Sequence, residues 1–279
     1  MSVRLIINAD DLGVNAQRSH GILECCEFGV VSSVSAFATM TDSQAAVRRA
    51  RERGVSVGLH LNLTDEYPLS KRDDIATLTD PNGCFFEPPR FRQLISEGAI
   101  KSEHIEREIR AQIEWMFDVY GQPTHVNGHM SVNLLPSVMD ALIPIMERYG
   151  IRSTRIPCEL PLPPHGYEIS DAQMAATHQL NALALAARET YTAHGIVSTD
   201  HFRGETLLGN ASLKNLRHIL SRIPEGTTEL RVHPGSQTVY GTPFDLDPQR
   251  QTELRMLLDE TIPAMLKEKK IELISWGDL

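Results

Sequence analysis

Cysteine is scarce in this chain. Four residues in 279, Cys25, Cys26, Cys84 and Cys158, contain no C-x-x-C pair. That pattern argues against a disulfide framework or a thiolate metal cage and leaves reduced, structural thiols. Basic residues are also in deficit, since 27 Lys and Arg against 36 Asp and Glu give a formal net charge of -9. With no Lys/Arg-rich run to override that balance, a phosphate-backbone partner is not expected. Nowhere do eighteen apolar residues run together, and the N-terminus enters a strand-like run without the basic and apolar regions of a signal peptide. These absences predict a soluble, cytoplasmic protein that binds neither nucleic acid nor membrane. What is present is 41% hydrophobic content, enough to bury the core of one large α/β domain.

Apolar β-branched runs alternate with helical patterns from the start: strand 3–8, helix 18–28, strand 30–39, helix 43–52, strand 55–63. Gly29 and Gly54 fall just past the two helices, the position where glycine ends them. From 65 to 89 the regularity breaks into Pro, Asp, Asn and Gly, with Asn82-Gly83 a tight turn. Helices at 102–120 and 135–149 flank strands at 123–127 and 152–155. A second irregular stretch, 157–169, carries four prolines. Beyond it come a helix at 171–192, a strand at 195–199, a helix at 212–223, a strand at 228–233, a helix at 248–267 kinked near Pro263, and a closing strand at 271–275. Eight strands joined largely by helices suit a single-domain (β/α) barrel-like fold related to the TIM barrel, with an open doubly wound sheet as the second choice. The irregular insertions, near 64–100 and 157–170, lie beside the expected active-site rim, where Tyr67, Phe85, Phe86 and Tyr167 are placed to stack on a ring or to pin their loops.

The chemistry gathers at strand ends. Asn8-Ala9-Asp10-Asp11-Leu12-Gly13 puts two adjacent carboxylates directly after the apolar run Val3-Arg4-Leu5-Ile6-Ile7. Ionised carboxylates are costly to bury without a cation or donors, so this is read as a metal or acid/base site rather than a solvated turn. In 55–64 the leucines and valine alternate with Ser56, Gly58, His60, Asn62 and Thr64, which turns His60 into the polar interior. His125 and His129 have helical spacing, but Pro123 and Gly128 disfavour a helix. One of the two is expected to bind metal and the other to orient a ligand or touch substrate. Asp11, His60 and His129 then form a two-histidine, one-carboxylate set with open positions. His233, ahead of Pro234-Gly235, is held at the rim as a candidate general acid. His20, His104, His178 and His218 fall on helices as surface or packing residues, and His165, His194 and His201 carry no assignment.

The four stretches Asn8-Ala9-Asp10-Asp11-Leu12-Gly13, Gly58-Leu59-His60-Leu61-Asn62-Leu63-Thr64, Pro123-Thr124-His125-Val126-Asn127-Gly128-His129 and His233-Pro234-Gly235, in this order, resemble the YdjC-like carbohydrate deacetylases. That family includes chitooligosaccharide deacetylase. The resemblance implies a (β/α) barrel-like fold and a divalent metal on Asp11, His60 and His129. It further implies Asp10 as base, removal of acetyl groups from N-acetylated amino sugars, and a homodimer. The chain departs from the pattern where the family usually has an aspartate and a His-Val-His run, because Asn127, Ser131 and Asn133 stand there. These neutral residues alter the charge beside the metal ligands and the sugar-binding surface.

Amide hydrolysis needs an activated water, stabilisation of the developing oxyanion and a proton for the leaving amine. Asp10 as base, a metal and His233 as acid would supply all three, with His125, Asn127 and Arg155 as the residues expected to bind substrate. A site of this composition accepts magnesium or zinc first, and manganese, nickel or cobalt by supply and geometry. Two other readings stay open: hydrolysis of a different amide, as in an acetylated antibiotic or nucleotide-linked sugar, and a non-catalytic protein that binds metal and sugar.

Overall fold

Alternation along the first strand decides the layering. In β1 (Val3–Leu12) Leu5, Ile7 and Ala9 join the hydrophobic core beneath the helices, while Asn8 and Asp10 turn the other way and bond inside the sheet. The structure is a computed structural model that describes residues 2–159 and 167–279. After β1 come α1 (Ala16–Phe28), β2 (Ser33–Ala36), α2 (Ser43–Glu52), β3 (Ser56–Leu61), α3 (Pro88–Ser96) and α4 (Ser102–Val119). The chain continues through β4 (Val126–Gly128), α5 (Pro136–Tyr149), α6 (Asp171–Ala193), β5 (His201–Arg203), α7 (Leu213–Leu220) and β6 (Gly226–Val232). It closes with α8 (Pro243–Leu246), α9 (Gln249–Leu257), α10 (Thr261–Glu268) and β7 (Ile271–Leu273). Among the described residues no helix is long and apolar enough to cross a membrane.

The strands form one seven-stranded parallel sheet in the order β4-β3-β2-β1-β6-β5, curled into a half-barrel with the helices outside. β6 runs along one edge of β1 from Val3 to Ala9. The other edge is shared, with β7 on Val3 to Leu5 and β2 on Asn8 to Leu12. The (β/α) barrel-like expectation therefore holds, with seven strands among the described residues rather than eight. Residues 152–155 and 195–199 contribute only the bridges Val126↔Thr154 and Ser153↔Val197. The strand in that region is instead β5, on residues unassigned from sequence. Asp200 accepts the backbone N–H of Thr227 at 2.8 Å and delivers the chain into register one residue later.

The expected helix 248–267 is also broken. Asp259 accepts from the N–H of Thr261 at 3.0 Å and its carbonyl from Ile262, so a new helix starts there. Pro263 then lies in a first turn, where its missing N–H costs nothing. The first insertion contains α3, begun by Pro88-Pro89, and the Asn82-Gly83 turn does close a short antiparallel contact, Thr79↔Phe85. Phe85 is buried in the core, and the carboxylate of Glu108 on α4 accepts the N–H groups of Leu69 at 3.0 Å and Ser70 at 2.9 Å. The insertion is thus pinned, with Tyr67 56% exposed. Most of the second insertion, including His165, lies outside the described residues.

All four cysteines are free, and burial pushes the thiols of Cys25 and Cys26 up, so they stay protonated and inert at neutral pH.

The inner face of the sheet is polar and filled. Trp276, after β7, is 1% exposed; it stacks on His125 with centroids 4.7 Å apart and donates to Glu229 at 3.3 Å. His125 fits because residue 58 is glycine: a Cβ there would lie 2.3 Å from the imidazole. Gly58→Ala is expected to lose about 1–3 kcal/mol, seen as a fall in Tm of roughly 3–10 °C. A Tm within one degree of the parent would show that His125 can move aside at no cost.

Candidate metal centre and its surroundings

The two adjacent acids face the same rim because the strand is irregular where they occur. The register between β1 and β2 slips between Ala9 and Leu12, and Asp11 takes φ 70, a conformation unusual for a residue with a side chain. Asp10 points inward, and Asp11 turns toward β3 and α1.

Asp11, His60 and His129 each present one ligand atom, and the three atoms lie within 4.8 Å of one another. His60 Nε2 is 3.5 Å from Asp11 Oδ1, while its Nδ1 is 2.7 Å from the carboxamide of Asn127, its partner across the β3–β4 ladder. Arg18 Nη2 donates to the other oxygen of Asp11 at 3.1 Å. Both ligands are therefore held from behind with their remaining atoms facing each other. Phe37 packs edge-on against His60 and His129, at 4.8 and 5.1 Å between centroids, and gives the cluster an apolar wall. His129 directly follows β4 and leads into Met130 and Ser131, both at positive φ, a sharp reversal that brings its ring back over the strand ends. Burial lowers its pKa, but the carboxylate of Asp65, 2.6 Å from Nε2, and nearby Asp11 more than offset this and raise it. Two imidazoles and a carboxylate, oriented by partners and converging on one point, fit a divalent ion.

Asp10 lies beside this cluster, 2% exposed. Arg155 clamps it with both terminal nitrogens, at 2.5 and 2.8 Å, and pairs with Glu229 through Nε at 2.9 Å. Asn8 donates to Asp10 at 2.8 Å. Burial pushes the carboxyl of Asp10 up, but Arg155 and the neighbouring histidines hold it far below the usual carboxylate range. Glu229 sits in the same pocket with only part of that compensation, and burial raises it. His233 Nε2 is 3.9 Å from Asp10 Oδ2, its backbone N–H donates to Glu253 at 2.5 Å, and its ring meets Phe244 edge-on. Burial pulls its pKa well below the ordinary imidazole value, against the opposing pull of Asp11.

Asp10, Asp11, His60, His129 and His233 thus come together as the strand-end reading expected. His125, Asn127 and Arg155, expected to bind substrate, are buried beneath these groups. His125 and Asn127 are 0% exposed and Arg155 4%. His125 is enclosed between Trp276, Ser35 at 3.0 Å and Thr124 at 3.1 Å, and Arg155 has both faces committed to acids. They form the layer under the site. Sequence reasoning missed Arg18, which bridges Asp11 to Asp245 at 3.2 Å. A helical arginine reads as surface, and nothing local announces that this one is 0% exposed. It also missed Asp65 and Glu229. For Glu229 a signal existed, because it lies four residues before His233 on the same face of β6.

A sequence profile described as YdjC-like protein matches residues 4–268. The chain is 31% identical to a mouse carbohydrate deacetylase over 295 aligned positions, which cover 99% of this chain and 95% of that one. It is 27% identical to a chitooligosaccharide deacetylase from Enterobacter sp. strain 638, with full coverage of both. A solved structure from Enterococcus faecalis, provisionally named a cellobiose-phosphate cleavage protein, superposes with a TM-score of 0.78 over 100% of this chain and 99% of the other, at 21% identity. That likeness bears on the fold.

Proposed function

Because the chain belongs to the YdjC-like protein family, we propose that it is a metal-dependent carbohydrate deacetylase that hydrolyses the N-acetyl group of an amino sugar or a short N-acetylated oligosaccharide. The observation that carries this reading is the cluster of Asp11, His60 and His129 next to Asp10 in its Arg155 clamp, with His233 Nε2 3.9 Å from Asp10. Magnesium or zinc is the ion we expect on the triad. Bound there, a divalent ion would polarise the acetyl carbonyl and acidify a water.

The protein's own groups handle the proton. Arg155 keeps Asp10 charged and fixed, so its carboxylate can take a proton from the attacking water. His233 begins without a proton to give. The proton therefore passes from Asp10 to His233 by way of one bridging water, since Nε2 at 3.9 Å is beyond direct hydrogen-bond reach, and from there to the departing amine nitrogen. The imidazolium formed on the way is stabilised by two carboxylates. Arg155 and His125 hold this arrangement from below rather than touching the sugar.

This route sets the pH dependence. The resting form has Asp10 ionised and His233 neutral, so kcat/KM is expected to rise with pH through a value below 6.5, where His233 loses its proton, and to stay level from about pH 7 to 8.5. A profile that falls as pH rises through that same value would mean that His233 starts protonated and would sink the route.

The proposal itself is tested by acetate release from a panel of N-acetylated mono- and disaccharides, including diacetylchitobiose, with metal-loaded protein and a chelated control. Metal-dependent acetate supports it; silence across the panel removes it. We also propose a homodimer in the cytoplasm, which sedimentation and fractionation would check.

A further inference from the structure

Asn127 touches both halves of the site. Its carboxamide, buried to 0% exposure, meets His60 on one side and Ser35 and Arg155 on the other. Only one of its two orientations satisfies all of these neighbours. With the oxygen toward His60, the amide accepts from Nδ1 at 2.7 Å and its nitrogen donates to Ser35 at 2.7 Å. Turned by half, the nitrogen donates to His60 Nδ1 at 2.7 Å and to the carbonyl of Leu59 at 3.3 Å. The oxygen then accepts from Arg155 at 3.0 and 3.2 Å and from Ser35 at 2.7 Å.

The two orientations demand different forms of His60. A neutral imidazole carries one N–H, and the hydrogen bond at one nitrogen decides which. If Asn127 donates to Nδ1, the proton sits on Nε2, the nitrogen that faces Asp11 at 3.5 Å, and no lone pair is left there for a metal. If Nε2 is bare, Nδ1 carries the proton and must donate to the amide oxygen. That choice sets the amide nitrogen against the guanidinium of Arg155, donor against donor. Arg155 cannot turn away, because Asp10 and Glu229 hold it from both sides.

We infer that Asn127 is a positioning residue that couples metal loading of His60 to the Arg155–Asp10 clamp: its amide serves Arg155 when the metal site is empty and must turn over when the site fills. The cost of that turn lowers metal affinity. A carboxylate at 127 has an acceptor for each neighbour and removes the conflict. This inference rests on Asp11, His60 and His129 being the metal ligands.

Two measurements test it, on the full chain with zinc alone as the probe. In isothermal titration at pH 8, Asn127→Asp should bind zinc at least about tenfold more tightly than the parent, within the range typical of groups that orient a ligand. Long-range 1H–15N spectra of the parent, with His60→Gln to assign the ring, should show the His60 proton on Nε2 without zinc and on Nδ1 with it. The second measurement needs no folded variant at position 127. Unchanged or weaker zinc binding by a folded Asn127→Asp protein overturns the inference, as does an Nδ1 proton on His60 before zinc is added. If the parent binds no zinc, or if His60→Gln leaves its binding intact, the ligand assignment has failed and the inference goes with it.

Discussion

Asp10→Asn is expected to slow acetate release by roughly a hundredfold to ten-thousandfold, the contribution of a positioned proton acceptor, while zinc affinity changes little. The separation follows from geometry. Asp10 faces Arg155, Asn8 and His233, and it is not one of the three converging ligand atoms. An amide keeps the shape and one oxygen for Arg155 but cannot take up a proton at neutral pH. Steady-state kinetics beside a zinc titration of the same preparation would decide. Parental kcat in the variant would remove Asp10 from the role of base, whereas loss of zinc along with activity would make it part of the metal site.

Arg155→Met should cost about 3–5 kcal/mol of stability, because removal of one partner leaves buried charge uncompensated. Here two acids are stranded, Asp10 at 2% exposure and Glu229 at 0%. The pH dependence identifies the cause. In the parent, Asp10 is depressed below its ordinary value of 3.8. Its pairing therefore stabilises the fold fully above that value, and this contribution is lost only as pH falls through the lower folded pKa. In the variant the largest opposing charge is gone: burial meets only the histidines and Asn8 at Asp10 and Trp276 at Glu229, so Asp10 moves up and Glu229, already raised in the parent, moves further up. The penalty is then largest at neutral pH and is relieved as pH falls through the raised values. The gap in Tm between parent and variant should narrow from pH 7.5 toward pH 5. A gap that stays constant would mean that Arg155 contributes packing and not charge.

Much of the site was legible because strand ends punctuate a sequence. Two acids after an apolar run, His60 in an alternating strand, and His233 before Pro-Gly each carry a local signal, and parallel strands bring such positions to one rim. Arg155 was found for the same reason, as a candidate to bind substrate. Its position at the end of a strand-like segment was visible, and its bidentate grip on Asp10, 145 residues earlier, was not. Nor could the strand count be read, since 152–155 and 195–199 have strand composition yet find only single-bridge partners, and pairing depends on what lies alongside.

Taken by itself, the order of residues determined the α/β class, which face of β3 meets the helices, and which side chains could reach a metal, because periodicity and strand punctuation are local properties. Tertiary structure decided which acid is which. The slip of β1 against β2 sends Asp10 to Arg155 and Asp11 to His60, and burial among distant charges, a sum over the whole fold, leaves one histidine neutral and one carboxylate ionised.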